Sequence, residues 1–357
     1  MILQPGTGPI RAASYLPADP DAVLWGRLPC SADAPVATVE SGAEVTFDTI
    51  SHEGILEDQG RDPRAFFGGH GVGEDGVLAD AIALAASPVP HVVGVDGPHV
   101  VSRPVHISGA RVGDLLAMTV VETLPRVPYG VVSNRHGRGA LPDEFPASGD
   151  TVSVFTRVSD DGARGLLPLV EGGDPVVSFP LAPFLGIMGV APAAGERPHS
   201  VPPGAYGGNI DINLLTVGAT LYLPVQVDGA LAYVGDPHFA QGDGEVSLTA
   251  LEASLRATIR FDVVPREDAL RRFGELAGPL AETTDHLVPT GLDPSLDVAL
   301  QNCVRAAIAL LGARYGMAPH LAYAYLSAAT DFDISQVVDL VKGVHARIRK
   351  SDFPEVR

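Results

Sequence analysis

The stretch LRATIRFDV, residues 255–263, alternates apolar and polar side chains without a slip. Five apolar side chains fall on one face, namely Leu255, Ala257, Ile259, Phe261 and Val263. Successive side chains of a strand point to opposite faces, so this period of two predicts a β-strand with one buried face.

Similar apolar runs, rich in Val, Ile, Leu and Thr and bounded by Gly, Pro or Asp, predict further strands along most of the chain. They cover 44–50, 91–97, 99–107, 114–124, 151–158 and 220–227. The 40 glycines and 31 prolines favour many short strands joined by turns.

Helical periodicity is concentrated near the C-terminus. Helices are predicted at 76–87, from near Asp293 to Gly316, at 319–328 and from an Asp333 cap through DISQVVDLVKGV. The expected fold is therefore mainly β, built from sandwich-like or barrel-like units, with an α+β C-terminal portion. We predict three units: an N-terminal β-rich domain (1–195), a central β unit (196–265) and an α-containing C-terminal unit (266–357).

The charge of the chain excludes several kinds of partner. It has 24 basic and 43 acidic residues, a net charge of −19, which repels phosphate backbones and anionic lipid headgroups. We expect no nucleic-acid partner and no membrane association. With no leader-like N-terminus and no long apolar run, the sequence predicts a soluble cytoplasmic protein.

The reactive side chains also exclude some chemistries. Cys30 and Cys303 are too few for a disulfide framework or a cysteine zinc site. The only lysines are Lys342 and Lys350, both near the end, so an internal catalytic lysine is excluded. The chain has no Ser-Ser dipeptide and no Gly-x-Ser-x-Gly elbow.

The stretch YVGDPHFAQGDGEV, residues 233–246, gathers acidic and imidazole groups without a basic residue. On an extended segment, residues i and i+2 share a side, which pairs Asn209 with Asp211, Asp236 with His238, and Asp243 with Glu245. Oxygen and imidazole ligands suit Zn²⁺ or a similar divalent ion. The same Asp-Pro, Gly-Asp and Asp-Gly dipeptides are also ordinary turn formers, so spacing leaves both interpretations open.

A second candidate site follows the predicted strand at 44–50, where His52 and Glu53 are adjacent, as in the first half of a His-Glu-x-x-His motif. A His-Glu-x-x-His zinc helix is excluded, because position 56 is Leu. The other histidines, among them His99, are scattered, and we expect packing or surface positions for them.

The residues from 204 to 252, GAYGGNIDINLLTVGATLYLPVQVDGALAYVGDPHFAQGDGEVSLTALE, resemble the hallmark region of the acetamidase/formamidase family. Similarity continues in ISGARVGDLLAMTVVE (107–122), GIMGVAPA (186–193) and LSAATDFDISQVVD (326–339). At Ser51-His52-Glu53 the chain departs from the form common in the family.

The resemblance implies a homo-oligomeric β-rich hydrolase that cleaves short aliphatic amides such as formamide or acetamide. It also implies a divalent metal, Zn²⁺ or alternatively Ca²⁺ or Mn²⁺. The expected metal ligands are His52, Asp211, Asp236 and His238. Glu245 and Asp243 are the expected catalytic residues, and Asn209 and Gln241 are expected to bind the amide. Two alternatives stay open: a hydrolase of another amide or cyclic imide, and a non-catalytic protein that binds a metal or small ligand.

Overall fold

The computed structural model describes residues 2–170 and 173–353, and two large β-sheets dominate it. The predicted β-rich fold with an α+β C-terminal portion is confirmed. Residues 1, 171, 172 and 354–357, which fall in the first and third predicted units, lie outside the described residues.

The first twelve strands occupy the N-terminal half of the chain. They are Ser14–Leu16 (β1), Val23–Trp25 (β2), Ala37–Glu40 (β3), Ala43–Asp48 (β4), Val100–Ser102 (β5), Val105–Ser108 (β6), Leu115–Pro125 (β7), Tyr129–Arg135 (β8), Thr151–Val158 (β9), Arg164–Pro168 (β10), Val176–Pro180 (β11) and Phe184–Val190 (β12).

The remaining strands alternate with helices toward the C-terminus. They are Gly207–Asn209 (β13), Thr220–Pro224 (β14), Ala232–Ala240 (β15), Leu251–Glu252 (β16), Leu255–Val264 (β17), Leu280–Glu282 (β18), His286–Asp293 (β19), Asp331–Gln336 (β20) and Lys342–Arg349 (β21). The α-helices are Pro63–Gly69 (α1), Ala79–Ala85 (α2), Arg266–Phe273 (α3), Leu296–Tyr315 (α4) and Pro319–Ala329 (α5).

Strand order shows how the two sheets are assembled. The nine-stranded sheet has the order β1-β4-β17-β7-β14-β18-β19-β21-β20. The twelve-stranded sheet has the order β11-β10-β9-β8-β16-β15-β12-β13, with β2, β3, β5 and β6 paired beside it. Each sheet draws strands from more than one predicted unit, and the division into three units stays a prediction.

Strand β17, the stretch on which the fold prediction began, lies between β4 and β7. Its apolar face is buried as predicted from Leu255 to Phe261 and half-buried at Val263, but Arg256 and Thr258 on the polar face are 0% exposed as well. Arg256 is buried because its guanidinium pairs with Asp48 of β4 and bonds to carbonyls of the N-terminal segment. The strand is therefore buried on both faces at its start.

Two local predictions are wrong. Residues 91–97 form turns rather than a strand, and they pair with no strand among the described residues. Three valines in this segment are exposed. DISQVVDLVKGV forms the end of β20 and the start of β21 instead of a helix. Its short apolar runs suit both periods, and antiparallel pairing of the two strands decides for β.

The predicted helices at 76–87, 293–316 and 319–328 correspond to α2, α4 and α5. Helix α4 is, by length and composition alone, apolar enough to cross a bilayer. In this structure it packs against β19 and β21, and it buries Cys303, Ala307 and Leu310.

Strand β15 positions the site. It pairs with β12 on one side and β16 on the other, and it is buried along almost its whole length. Polar side chains on this strand consequently point into the protein interior.

Candidate metal centre

Strand β15 carries Asp236 and His238 on the same side, as the i, i+2 spacing predicted. Oδ2 of Asp236 lies 3.1 Å from Nε2 of His238, and the two side chains are 3% and 1% exposed. Asp236 has a left-handed backbone, with φ of 53°. Such a conformation is costly for a non-glycine residue and tends to persist where a functional geometry needs it.

Glu252 comes next to His238 because β16 pairs with β15 at this point. Its Oε1 lies 3.1 Å from Nε2 of His238. Asp236, His238 and Glu252 thus bring two carboxylates and one imidazole together in the interior.

Two further histidines approach the Asp236 side of this group. Nδ1 of His52 lies 3.8 Å from Oδ1 of Asp236 and 3.9 Å from Oε2 of Glu252. Nε2 of His99 lies 3.9 Å from the same Asp236 oxygen. Nδ1 of His99 is 2.9 Å from Oγ of Ser200, a hydrogen bond that fixes the ring with Nε2 toward Asp236.

On the opposite side of His238 lie Asp211 and Glu245. Oδ1 of Asp211 is 4.0 Å from Nδ1 of His238, and ligand atoms of Asp211, His238 and Glu245 lie within 4.8 Å of one another. Asp211 and Glu245 also have left-handed backbones, each with φ of 46°. The buried group therefore extends past both ring nitrogens of His238, with Asp211 beside Nδ1 and with Asp236 and Glu252 beside Nε2.

Gly186 of β12 leaves room at the centre of these side chains. A Cβ atom at this position would lie 2.5 Å from Oδ1 of Asp211, 2.5 Å from Oδ2 of Asp236 and 2.6 Å from Cε1 of His238. Any larger residue would therefore fill the space on which the three side chains converge.

Many side-chain atoms here that could bind a metal ion have no hydrogen-bond partner within the described residues. They are both ring nitrogens of His52 and His238, both carboxylate oxygens of Asp211, and one oxygen each of Asp236, Glu245 and Glu252. Buried polar atoms are normally paired, so this group calls for an occupant. Carboxylate oxygens and imidazole nitrogens are the donors that zinc and similar divalent ions take in proteins.

The electrostatics of the group fit the same occupant. Burial, together with nearby carboxylates, raises the pKa of Asp211 and of Glu245 well above the ordinary range. Burial opposes protonation of His238, yet Glu252 and Asp236 raise its pKa. Burial lowers the pKa of His99 to about 4, which keeps it neutral at physiological pH. A cation could replace the protons that the crowded carboxylates otherwise hold.

The remaining predicted residues lie around the rim. Asn209 is 2% exposed, and its Nδ2 donates to Oδ2 of Asp339 at 3.0 Å. Nε2 of Gln241 donates to the backbone oxygens of Asp211 and Ser335. In both amides the side-chain oxygen is unpartnered among the described residues and available to accept a hydrogen bond.

Asp243 lies apart from Glu245. It is exposed and accepts a 3.0 Å bond from Nδ2 of Asn213, whereas Glu245 is buried. The i, i+2 argument does not apply here because Glu245 follows a turn, in which its N–H bonds to the carbonyl of Gly242.

Sequence reasoning missed three residues of the site. His99 was expected in packing or at the surface, Glu252 was not singled out, and Asp339 was placed in a predicted helix. Glu252 carried a signal, since it is an acidic residue in the otherwise uncharged run SLTALEASL. His99 and Asp339 come from distant parts of the chain, and only the fold brings them near Asp236 and Asp211.

Comparison with known proteins agrees with this architecture. A profile of the Acetamidase/Formamidase family matches residues 91–197 and 193–348, which is more than half of the chain. The chain belongs to the acetamidase/formamidase family. The match begins after His52 and Glu53, so the segment that departs from the family's common form lies outside it.

Individual relatives are distant in sequence, and their names agree with this family. A formamidase of Methylophilus methylotrophus is 29% identical over 221 residues, covering 49% of this chain and 54% of that protein. An acetamidase of Mycolicibacterium smegmatis is 25% identical over 234 residues, covering 51% and 57%. The chain thus matches little more than half the length of these curated relatives. The crystal structure of an acetamidase from Bacillus halodurans superposes with a TM-score of 0.72 at 25% identity, covering 95% and 98%.

Proposed function

We propose that the protein hydrolyses the C–N bond of short aliphatic amides, of the formamide or acetamide type, to a carboxylate and ammonia. The observation that carries this proposal is the convergence of unpartnered, buried carboxylates and imidazoles around Gly186. Membership of the family and the names of the relatives, formamidase and acetamidase, support the choice of amides.

Asp211, Asp236 and His238 would hold a divalent ion, with His52 on the Asp236 side; Zn²⁺ is the first candidate, and Ca²⁺ or Mn²⁺ are alternatives. Such an ion supplies a Lewis acid for the amide carbonyl and lowers the pKa of water. His238 belongs both to the group with Asp236 and Glu252 and to the group with Asp211 and Glu245, so metal analysis should count ions per chain rather than presence alone.

Glu245 handles the proton in this proposal. It accepts a proton from the attacking water and delivers it to the leaving nitrogen, because an amide anion is too poor a leaving group to depart unprotonated. A divalent ion held beside Glu245 would favour its ionised form, which is the form able to accept a proton.

Asn209 and Gln241 orient the substrate. Their free side-chain oxygens accept hydrogen bonds from the amide NH₂ group, which a carboxylate product or an ester lacks. Asp243 supports the loop indirectly, because Asn213 bonds both to Asp243 and to the backbone oxygen of Gln241.

The test is ammonia release from formamide and acetamide before chelation, after chelation and after return of Zn²⁺, Mn²⁺ or Ca²⁺. We expect activity to disappear with the metal and to return with one of the ions. Full activity after verified removal of metal would contradict a metal-dependent mechanism. A larger carboxamide and a cyclic imide belong in the panel, and thermal stabilisation by amide without turnover would indicate a binding protein instead.

The role of Glu245 has its own test. We expect Glu245→Gln to lower kcat by about 10²- to 10⁴-fold with little change in metal content, because the isosteric amide cannot accept a proton. The matched control is Glu275→Gln, an exposed glutamate that pairs with Arg266 outside the site. A Glu245→Gln enzyme with the wild-type kcat would exclude Glu245 as the base. Homo-oligomerisation and a cytoplasmic location stay predictions.

A further inference from the structure

Glu53 is a buried carboxylate that the proposed mechanism does not use. Its side chain is 1% exposed, and it follows His52 directly in the chain. A buried carboxylate is costly unless it is paired or hydrogen-bonded, so its partners indicate what it does.

One oxygen of Glu53 is held by two donors. Oγ of Ser133 donates to Oε2 at 2.6 Å, and Nε2 of Gln59 donates to the same atom. Gln59 is itself fixed, because its Nε2 also donates to Oγ of Ser153 at 3.0 Å and its Oε1 accepts from the backbone N–H of Gly54 at 2.7 Å. Ser133 and Gln59 therefore set the direction of the carboxylate.

The other oxygen of Glu53 faces His52. Oε1 lies 3.3 Å from Nε2 of His52 and 3.9 Å from a guanidinium nitrogen of Arg135. Neither Oε1 nor Nε2 makes an aligned hydrogen bond within the described residues. At this distance, a rotation of the imidazole ring would align the two atoms.

The two ring nitrogens of His52 have different surroundings. Nδ1 lies 3.8 Å from Oδ1 of Asp236 and 3.9 Å from Oε2 of Glu252, distances that are too long for direct hydrogen bonds. Nε2 thus has a close carboxylate, whereas Nδ1 faces the oxygens of the candidate metal centre across a gap. A neutral imidazole carries its proton on one nitrogen and a lone pair on the other, and the partner of the N–H decides which nitrogen can bind a metal.

We propose that Glu53 is a positioning residue for His52: its carboxylate accepts a hydrogen bond from the Nε2–H, so that the lone pair of Nδ1 points toward Asp236 and Glu252. This inference rests on the metal centre of the function proposed above. Carboxylates often orient metal-binding histidines in this way. His52, Glu53 and Gln59 all precede residue 91, where the match to the family profile begins.

The experiment measures the dissociation constant for Zn²⁺ by competition with a chromophoric chelator. Glu53→Gln keeps the size of the side chain, and its amide oxygen can still accept from Ser133 and Gln59. Its NH₂ group would then donate to Nε2 of His52 and shift the ring proton to Nδ1, where it opposes binding of the ion. We expect the affinity for Zn²⁺ to fall by about 10- to 100-fold, the usual cost of losing such a carboxylate.

A double-mutant cycle separates positioning from a general structural effect. In a His52→Ala background, Glu53→Gln should change the Zn²⁺ affinity by about 2-fold or less, because the ring through which Glu53 acts is gone. Glu57→Gln is the matched control, since this glutamate of the same segment pairs with Arg61 and His91 outside the site and should leave the affinity unchanged.

Melting temperatures of the metal-free variants show whether each is folded. Ser133→Ala, which removes one donor from the carboxylate, replaces Glu53→Gln if that variant does not fold. We expect it to cause a smaller loss of Zn²⁺ affinity, which should again disappear in the His52→Ala background.

Two affinity results would overturn the positioning role. Wild-type Zn²⁺ affinity in Glu53→Gln would show that His52 needs no support from this carboxylate. An equal loss in both backgrounds would show that Glu53 acts without His52.

Failure of the positioning role can be distinguished from failure of the proposed function. If the wild type binds no Zn²⁺ yet releases ammonia from formamide, the positioning role fails and amide hydrolysis stands. If the Zn²⁺ affinities change as expected but no amide yields ammonia, the proposed function fails alone.

Discussion

Gly186 shows at the scale of one residue why we expect the candidate metal centre to tolerate little change. The space above its Cα is bounded by oxygens of Asp211 and Asp236 and by the ring of His238. Asp236 and His238 lie on the well-paired strand β15, and the side chains of all three residues are buried, so they have little room to withdraw.

We therefore expect Gly186→Ala to fold but to lose metal and amide hydrolysis. The added methyl group would force apart the three side chains on which binding depends. Metal content by elemental analysis and ammonia release measure the outcome. Gly195→Ala is the control, since a Cβ there meets nothing within 4 Å. Wild-type metal content in Gly186→Ala would show that the ion binds elsewhere.

At the scale of one element, two arginines of β17 pair with aspartates in different surroundings. Arg256 pairs with Asp48 at 2.6 Å, with both side chains 0% exposed. Arg260 pairs with Asp262 at 2.8 Å, with side chains 45% and 40% exposed. Because the charges are the same in both pairs, comparing them shows how burial changes the contribution of such a pair to stability.

We expect Arg256→Met to lower the free energy of unfolding by about 3–5 kcal/mol, because Asp48 would stay buried with the hydroxyl of Tyr15 as a hydrogen-bond donor and only the more distant Arg126 as a cation. Arg260→Met should change it by about 0.5 kcal/mol or less, since exposed pairs contribute little. Denaturant unfolding of both variants provides the comparison. Equal losses in the two variants would contradict the role of burial.

The segment around the end of β20 contacts the loop that carries Glu245. Gly244 bridges to Gln336 in parallel pairing, and the N–H of Val337 donates to the carbonyl of Gly244 at 2.9 Å. The loop that carries Glu245 is therefore held by the segment after β20, which the sequence predicted as a helix.

At the scale of the whole molecule, the acidic character of the chain is concentrated most sharply in the buried cluster. Asp339 lies half-buried beside this cluster, and the loss of solvent around its carboxyl, together with the charge of Asp236, raises its pKa from 3.8 to about 7. Between these pH values the folded protein binds more protons at this residue than the unfolded chain does. Its contribution to stability therefore falls as the pH rises from about 4 to 7.

This sign gives a prediction for the metal-free protein. Asp339→Asn should raise the melting temperature by a few degrees at pH 7.5 and by less at pH 4.5, since the variant removes the cost of the buried charge. Calorimetry after chelation measures it, with the exposed Asp143→Asn as a surface control. A gain that is larger at pH 4.5 than at pH 7.5 would contradict the raised pKa of Asp339.

Much of the fold could be predicted because local patterns agree with tertiary packing in most elements. The alternation in β17 and the long stripe of α4 were sufficient to assign a strand and a helix. The prediction failed at 91–97 and at 333–344, where short apolar runs fit both periods or neither. At 333–344 the antiparallel pairing of β20 with β21 decided the structure, and at 91–97 the absence of a pairing partner among the described residues did.

The sequence by itself determined the β-rich class, the family and the part of the site that one strand carries, Asp236 and His238. The spacing of Asp236 and His238 was sufficient to pair them, because residues two apart on a strand point to the same side. Only the tertiary structure decided that His99, Glu252 and Asp339 approach the same space, and that Asp243 stays outside it. The physical reason is that these residues lie on different strands and loops, whose relative positions follow from sheet pairing and burial rather than from any local pattern.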